Sequence, residues 1–335
     1  MADGAQDRVG LIFAGAPRVP EMVRIAQKAE ERGFESVWMA ETRITRDAVA
    51  PVAAIAQATE RIKVGTGIMN VYTRGAVVIA ITFNGLDEIA PGRIIMGLGA
   101  GSPLILAPQG YAWDRPVQRM REYVEVIRPL MRGEEVTYHG ELVTVEGARV
   151  EDVLAGEGAM STAAKMPLYL GVTGRPALEL AGELADGVLM NVCLPTSYVE
   201  SRLEVIERGA KKAGRSLDNL DIGMAVLVSP HEDGDAGRDG ARRFISLYLS
   251  LFPNIAKETG VSEQLRDAVR ERFHAEGIEA AAQLVPDDVV NLLAAAGTPD
   301  ECRARIDEYR RAGIALPVLI AVEGALDAVV DELGP

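Results

Sequence analysis

The strongest constraint on the fold is a repeated alternation between short apolar segments and longer segments with helical periodicity. Eight apolar segments have the length and composition of buried strands, and most are followed by a stretch whose apolar residues recur every three to four positions. These segments are RVGLIFAG, FESVWMA, IKVGTGI, RIIMGLGAG, MPLYLGVTG, DGVLMNV, DIGMAVLV and LPVLIAV. Because doubly wound sheets usually have about five or six strands, eight strand–helix units predict an α/β fold of the (β/α)8 TIM-barrel type.

Two interruptions of this alternation predict insertions. The segment EEVTYHGELVTVEG alternates with a period of two, which indicates a β-hairpin, followed by a loop, after the fourth helix. Residues 229–285 follow the seventh strand and predict a helical insertion rich in charge. A chain of 335 residues therefore fits one barrel domain over residues 1–335 that carries both insertions.

Composition excludes several classes of function. The net charge of −14 argues against nucleic acids and anionic membranes as partners, and no run of about 18 apolar residues could span a bilayer. The opening residues, MADGAQDRVG, lack the basic and apolar regions of a signal peptide. Cys193 and Cys302 are too few for a disulfide framework, and the three histidines lack the spacing of metal ligands. We expect a soluble, cytoplasmic protein that acts on a small molecule and binds no metal.

The carboxyl ends of the strands are the places where a barrel of this type holds its functional residues. They carry no Ser-His-Asp order, no pair of histidines and no obvious lysine for a Schiff base, so a cofactor is expected to supply the difficult chemistry. Gly174 and Arg175 begin a helix after the fifth strand, where backbone N–H groups and a guanidinium suit a phosphate. The alternative is that these two residues form only a turn between strand and helix and bind no phosphate. In VGTGIMNVYTR, the interior glycines are typical of a bulge or of close approach by a backbone or a ligand.

Six stretches in this order resemble the bacterial-luciferase-like superfamily of flavin and deazaflavin oxidoreductases. Within it, the sequence resembles the coenzyme F420-dependent enzymes related to methylenetetrahydromethanopterin reductase. The stretches are AEERGFESVWMAE, IKVGTGIMNVYTR, LDEIAPGRIIMGLGAGS, GYAWDRP, PLYLGVTGRPALELAGELADGVLMN and the Gly-Thr-Pro-Asp sequence near residue 299. The resemblance implies a barrel with an insertion, coenzyme F420 as the cofactor, and hydride transfer at C5 of the deazaflavin. A homodimer or a higher homo-oligomer is the default assembly for such an enzyme.

The resemblance also implies which residues form the site. A non-prolyl cis peptide between Gly67 and Ile68 would lie behind the ring of the cofactor. The implied cofactor-binding residues are Gly67, Ile68, Asn70, Gly99, Ala100, Gly101, Ser102, Thr173, Gly174 and Arg175.

Glu41, Thr42 and Tyr72 are the candidate catalytic residues. Many relatives have an Asp-His pair where this chain has Glu41 and Thr42, so Glu41 is the candidate for a general acid or a cofactor-orienting carboxylate. A salt bridge from Glu41 to Arg43, Arg46 or Arg74 is the structural alternative. Tyr72 and Asn70 are candidates to hold the substrate or the carbonyl groups of the ring, with simple turn hydrogen bonds as the alternative.

Three other functions stay open at this point. One is an FMN-dependent monooxygenase of the same superfamily, the second is a flavin-binding barrel without turnover, and the third is a cofactor-free lyase or isomerase. The third is disfavoured because the strand ends lack lysines and metal ligands. The substrate is expected to be a small organic molecule, pterin-like or with a C=N, C=C or C=O bond, and the direction of hydride transfer stays open.

Overall fold

The centre of the protein is a closed barrel of parallel strands. The structure is a computed structural model, and it describes residues 8–41, 45–150 and 162–335. The strands, numbered in chain order, are β1 (Gly10–Phe13), β2 (Ser36–Met39), β3 (Lys63–Thr66), β4 (Met69–Asn70), β5 (Ile94–Gly99), β6 (Val136–His139), β7 (Thr144–Ala148), β8 (Leu168–Val172), β9 (Gly187–Met190), β10 (Asp221–Pro230), β11 (Ala295–Gly297) and β12 (Leu316–Ala321). The barrel order is β1-β2-β3-β5-β8-β9-β10-β12, and β12 pairs with β1 to close it. The predicted (β/α)8 barrel is confirmed.

Helices follow the strands around the outside of the barrel. They are α1 (Val19–Glu31), α2 (Val49–Ala58), α3 (Ala76–Ile89), α4 (Pro103–Leu106), α5 (Pro116–Met131), α6 (Arg175–Leu184), α7 (Thr196–Lys212), α8 (Gly234–Leu251), α9 (Pro253–Ala256), α10 (Glu263–Glu276), α11 (Ile278–Ala282), α12 (Asp287–Leu293), α13 (Pro299–Arg311) and α14 (Leu326–Glu332). No helix within the described ranges is both long enough and apolar enough to cross a membrane.

Both predicted insertions are present. The antiparallel hairpin β6–β7 follows α5, and the helices α8 to α12 follow β10. Two short strands add to the eight predicted ones: β4 continues the third barrel strand after a bulge, and β11 pairs with the end of β10. The assignment of residues 1–335 to one domain stays a prediction.

The interior of the barrel is filled by side chains from alternating strand positions. Trp38 on β2 is 1% exposed, its Nε1 donates to Ser36 Oγ at 2.9 Å, and its ring lies edge-on to that of Tyr169 with centroids 5.2 Å apart. A Cβ on Gly65 would lie 3.0 Å from both the Trp38 ring and Ile95, so this glycine makes room for side chains of the core. The rim therefore lies above a solid core rather than above a pore.

Charged groups hold the opposite end of the barrel, where the strands begin. Arg8 donates to Glu35 at 2.5 Å and to Asp221 at 2.6 Å, and the Tyr169 hydroxyl also donates to Asp221. Burial raises the pKa of Glu35, but hydrogen bonds from Arg8 and Lys63 outweigh it and hold that pKa below its usual range. This network joins the first, second, fifth and seventh barrel strands at the base, away from the rim.

The helical insertion docks on the rim near β10. A Cβ on Gly237 of α8 would lie 2.8 Å from the carbonyl oxygen of Ser229, so only a glycine allows the helix to approach this closely. Within the segment FISLYLSLF, Ile245 and Leu249 are fully buried. This part of α8 therefore packs into the hydrophobic core of the protein.

A buried carboxylate fixes the hairpin to α5. Glu122 is 0% exposed, and its carboxylate accepts hydrogen bonds from the backbone N–H groups of Glu141, Leu142 and Val143 and from the side chain of Gln118. The distances are 2.8 to 2.9 Å. Burial raises the pKa of Glu122, but these four donors outweigh it and hold the pKa below the ordinary value of 4.5.

We expect Glu122→Gln to lower the free energy of unfolding by about 2 kcal/mol at pH 7, because the new NH₂ group would face a backbone N–H. Since the folded-state pKa of Glu122 is depressed, its contribution is present above about pH 4.5 and is lost as the pH falls through the folded-state value. Urea unfolding should show that the difference in free energy of unfolding between Glu122→Gln and wild type becomes smaller as the pH is lowered from 7. The matched control is Glu125→Gln on the same helix, whose exposed carboxylate accepts from Tyr138, and it should cost less. A difference that grows on acidification would contradict this account.

Candidate active site

The third barrel strand is interrupted at its carboxyl end, and the interruption forms the centre of the candidate site. β3 ends at Thr66, the peptide bond between Gly67 and Ile68 is cis, and β4 then resumes pairing with β5, with Asn70 opposite Gly99. The cis bond that the resemblance implied is present. We call residues 67–70 the bulge.

Glycines around the bulge make room for side chains of the chain itself. A Cβ on Gly67 would lie 2.8 Å from Cδ1 of Ile12, which is part of the barrel core. A Cβ on Gly99 or on Gly171 would lie 2.6 or 2.5 Å from the side chain of Ile68. Ile68 is therefore seated between the ends of β5 and β8 and remains partly exposed at the rim.

Glu41, at the end of β2, is bound to the bulge rather than free in the mouth of the barrel. Its Oε2 accepts from the backbone N–H of Asn70 at 3.0 Å, and its Oε1 accepts from Arg74 at 2.7 Å and from the N–H of Ala48 at 3.2 Å. The Glu41 side chain is 10% exposed and that of Arg74 is 19% exposed. Of the three arginines considered from sequence, Arg74 forms the ion pair, while Arg46 donates to the carbonyl of Pro17.

Asn70 and Tyr72 are buried and tie the bulge to neighbouring segments. The N–H of Tyr72 donates to Asn70 Oδ1 at 2.7 Å, and the Asn70 side chain packs against Gly101, where a Cβ would overlap it. Gly101 has a φ of +60°, which favours glycine there for a second reason. The Tyr72 hydroxyl donates to the carbonyl of Asp114 at 2.5 Å, and burial raises its pKa.

Arg119 on α5 is a rim residue that sequence reasoning missed. Its guanidinium carbon lies 4.5 Å from the centroid of the Tyr72 ring, a cation–π contact. Tyr123, one turn further along α5, donates its hydroxyl to the carbonyl of Arg74 at 2.8 Å. The spacing of four residues places Arg119 and Tyr123 on one face of α5, but nothing local in the sequence says which strand end that face meets.

The end of β5 leads into a loop that carries the other glycine-rich candidates. Trp113 donates its indole N–H to the carbonyl of Ala100 at 3.0 Å, which anchors the GYAWDRP segment to this strand end. Ser102, just before α4, has a buried Oγ without a hydrogen-bond partner among the described residues. Buried hydroxyl groups normally have a partner, so this atom is available to a ligand.

Within the described residues, no side chain caps the start of α6. Gly174 is the N-cap residue with φ −74° and ψ 148°, and nothing lies within 4 Å of a Cβ placed on it. Gly174 and Arg175 are exposed, and Arg175 forms no ion pair within the described part of the chain. Thr173 is held through its carbonyl, which accepts from the Tyr198 hydroxyl at 2.5 Å. Because Gly99 pairs with Gly171, Ser102 and Gly174 each lie three residues beyond paired positions on neighbouring strands.

The structure thus brings most of the predicted site residues together. Glu41, Ile68, Asn70, Tyr72, Gly99 and Gly101 are joined by direct contacts, and the start of α6 adjoins them through β8. Thr42 and Arg43 lie outside the described residues. Cys193 is 1% exposed, and its burial raises its pKa, so it is a small core residue rather than a nucleophile.

We expect Gly171→Ala to lower the free energy of unfolding by about 1–3 kcal/mol, because the added methyl group would displace Ile68. In an Ile68→Ala background the same substitution should cost less than about 0.5 kcal/mol, since the obstructing side chain is then absent. Urea unfolding of the four proteins of this cycle measures both values. An equal cost in both backgrounds would show that Gly171 is not limited by Ile68.

Comparison with known proteins agrees with the fold and with the strand-end sequences. The family model for the luciferase-like monooxygenase matches residues 5–316. The 5,10-methylenetetrahydromethanopterin reductase of Methanolobus tindarius is 32% identical over 307 residues, which are 91% of this chain and 91% of that protein. The F420-dependent glucose-6-phosphate dehydrogenase of Microbacterium testaceum is 32% identical over 243 residues, 69% of this chain and 70% of that protein.

A solved structure extends the likeness to three dimensions. The coenzyme F420-dependent tetrahydromethanopterin reductase of Methanopyrus kandleri superposes with a TM-score of 0.87 and 27% sequence identity, covering 97% of this chain and 98% of that one. The relatives named here are oxidoreductases, and the family model spans nearly the whole chain. This chain therefore belongs to the luciferase-like monooxygenase family of oxidoreductase enzymes.

Proposed function

We propose that the protein is a coenzyme F420-dependent oxidoreductase that transfers a hydride between the deazaflavin and a small organic substrate. Two relatives are named for coenzyme F420, the glucose-6-phosphate dehydrogenase and the tetrahydromethanopterin reductase, and they support the choice of cofactor. Their names give different substrates, so the cofactor is the transferable part. The observation that carries the proposal is the open start of α6, which offers unused donors beside the bulge. The substrate, pterin-like or with a C=N, C=C or C=O bond, and the direction of transfer are not assigned.

The residues present fit such a cofactor. Ser102 Oγ is a buried hydroxyl without a partner in the described ranges, and nothing lies within 4 Å of a Cβ placed on Gly174, the N-cap residue of α6. A helix N-terminus attracts anions through these N–H groups and its dipole, and Arg175 adds a positive charge. We assign the phosphate of the cofactor to Thr173, Gly174 and Arg175. The other predicted cofactor-binding residues, at the bulge and from Gly99 to Ser102, are assigned to the ring and its polyhydroxyl tail.

When bound, coenzyme F420 supplies hydride exchange at C5 of its ring. The role of this chain is to hold that ring at the rim of the barrel. Ile68, seated between Gly99 and Gly171, presents a partly exposed apolar surface against which one face of a flat ring can rest. Packing on one face excludes water there and leaves the other face for the substrate.

Two of the three predicted catalytic residues, Glu41 and Tyr72, lie within the described part of the chain. Glu41 is the predicted general acid or cofactor-orienting carboxylate, and Tyr72 is predicted to hold the substrate or a ring carbonyl. Both are engaged in hydrogen bonds within the protein. Tyr72 donates its only hydroxyl proton to a backbone carbonyl, so it acts here as an anchor of the rim. A catalytic role for Glu41, Thr42 or Tyr72 stays a prediction, as does the cytoplasmic location.

The test of the cofactor is to titrate the purified protein with coenzyme F420 and, separately, with FMN while following fluorescence. We expect micromolar binding of coenzyme F420. Gly174→Asp should weaken it at least about tenfold through charge repulsion at the phosphate, although an aspartate caps a helix better than glycine and should not destabilise α6. Gly174→Ala is the matched control, because its φ and its surroundings accept a methyl group.

Other outcomes of this titration would redirect the proposal. Binding of FMN alone would favour the FMN-dependent monooxygenase of the same family. Binding of coenzyme F420 without turnover of any oxidisable or reducible substrate would favour a flavin-binding barrel. Binding of neither compound would contradict the proposed function.

We further propose that the protein is a homodimer formed through α3. The outward side of α3 carries Val78, Ile81 and Ile89, which are 52%, 54% and 39% exposed, and nothing lies within 4 Å of a Cβ placed on Gly85 between them. Three large apolar side chains on one exposed helix face are unusual for a monomer and are typical of an interface. The adjoining α2 contains no charged residue.

We expect the wild type to have the mass of a dimer or larger assembly in light scattering after size exclusion, and Ile81→Glu to shift it toward the monomer. A charge at the centre of an apolar interface would be buried without a partner. Arg61→Glu, an exposed site outside α3, is the control for the introduced charge. A monomeric wild type at the highest concentration tested would contradict the proposal.

A further inference from the structure

We infer that Glu41 is a positioning residue that, together with Arg74, holds the bulge in the shape against which the cofactor ring rests. This inference deepens the proposed function and rests on it. It replaces the role of general acid with one that the observed contacts support. Glu41 and Arg74 lie on neighbouring strand ends, and no other ion pair within the described residues touches the bulge.

The first step is that Glu41 forms hydrogen bonds with the backbone of the bulge at two points. Its own backbone N–H donates to the carbonyl of Ile68 at 3.4 Å, and its Oε2 accepts from the N–H of Asn70 at 3.0 Å. These two contacts flank Met69, so the backbone of the bulge is held on both sides of that residue by one neighbour. Asn70 is 4% exposed, and an N–H group buried there requires an acceptor.

The second step is that the other carboxylate oxygen fixes Glu41 itself. Oε1 accepts from Arg74 at 2.7 Å and from the N–H of Ala48 at 3.2 Å. Arg74 is in turn held through its carbonyl, which accepts from the Tyr123 hydroxyl at 2.8 Å. A chain of contacts therefore runs from α5 through Arg74 and Glu41 to the backbone of the bulge.

The third step concerns the kind of group that faces the Glu41 carboxylate. All three groups that face the Glu41 carboxylate are N–H donors, so the site matches an acceptor-only group. A positioning residue keeps all three of these contacts while the cofactor is bound.

The experiment compares substitutions at Glu41 with a matched loss of charge nearby. Glu41→Gln keeps the shape but turns one oxygen into a donor that faces another donor. Glu41→Asp keeps the charge but is shorter by one methylene group. Asp47→Asn is the control, because Asp47 is exposed, lies 3.5 Å from Arg74, and makes no contact with the bulge.

Two readouts are measured for each variant well below its unfolding temperature. The first is the dissociation constant of coenzyme F420, followed by fluorescence. The second is backbone hydrogen exchange of the peptide covering residues 66–74 without cofactor. Because both use folded protein, a general loss of stability does not by itself change the dissociation constant.

We expect Glu41→Gln and Glu41→Asp each to raise the dissociation constant about tenfold and to speed exchange in residues 66–74, with Asp47→Asn within about twofold of wild type. Arg74→Met should have a smaller effect, and adding it to Glu41→Gln should raise the dissociation constant little further, since Arg74 acts through Glu41. If Glu41→Gln does not fold, Arg74→Met carries the test.

Three results would overturn the inference. They are an unchanged dissociation constant and exchange rate in Glu41→Gln, full recovery in Glu41→Asp, or fully additive effects of Glu41 and Arg74. A wild type that binds no deazaflavin defeats the proposed function instead, and the exchange comparison then still decides whether Glu41 holds the bulge.

Discussion

The hydrogen-bonded closure of eight parallel strands is the constraint on which the candidate site depends. Residues 10 and 11 of β1 pair with residues 318 and 319 of β12, and this last ladder brings every strand's carboxyl end to one rim. Gly99 and Gly171 are far apart in the sequence but become neighbours across β5 and β8. One side chain, Ile68, then packs on both of them, and the bulge acquires its position from that packing. Beneath the bulge, Ile12 and the other side chains of the barrel core fill the interior.

The rim divides into two parts that differ in how their polar groups are satisfied. Around Glu41, donors and acceptors are matched within the protein, from Arg74 to the backbone of Asn70. At the ends of β5 and β8, Ser102 Oγ and the first N–H groups of α6 are left without partners among the described residues. The part around Glu41, where the protein's own groups satisfy each other, is suited to support the ring. The part around Ser102 and the start of α6, where polar groups have no partner among the described residues, is suited to bind the anion.

The strands were predictable because each is a local run of apolar residues, and closure follows from counting eight of them. The contacts of Glu41 were not predictable. Arg43, Arg46 and Arg74 were equally plausible partners in the sequence, and only the fold shows that Arg46 turns to Pro17 while Arg74 meets Glu41. The interior glycines predict a bulge or close approach by a backbone or a ligand, whereas in the structure Gly65, Gly67 and Gly99 are adjacent to side chains of the core and the bulge. Burial and register decide such contacts, and neither is a local property.

The account's central claim is that one ligand contacts both parts of the rim at once. Hydrogen exchange with and without saturating coenzyme F420 tests it most directly, because it maps the bound ligand onto the chain without a known substrate. We expect slower exchange in three segments together, residues 66–74, 99–106 and 172–178, and little change at the barrel base. Slower exchange confined to the base or to the insertion helices, with the rim unchanged, would contradict it.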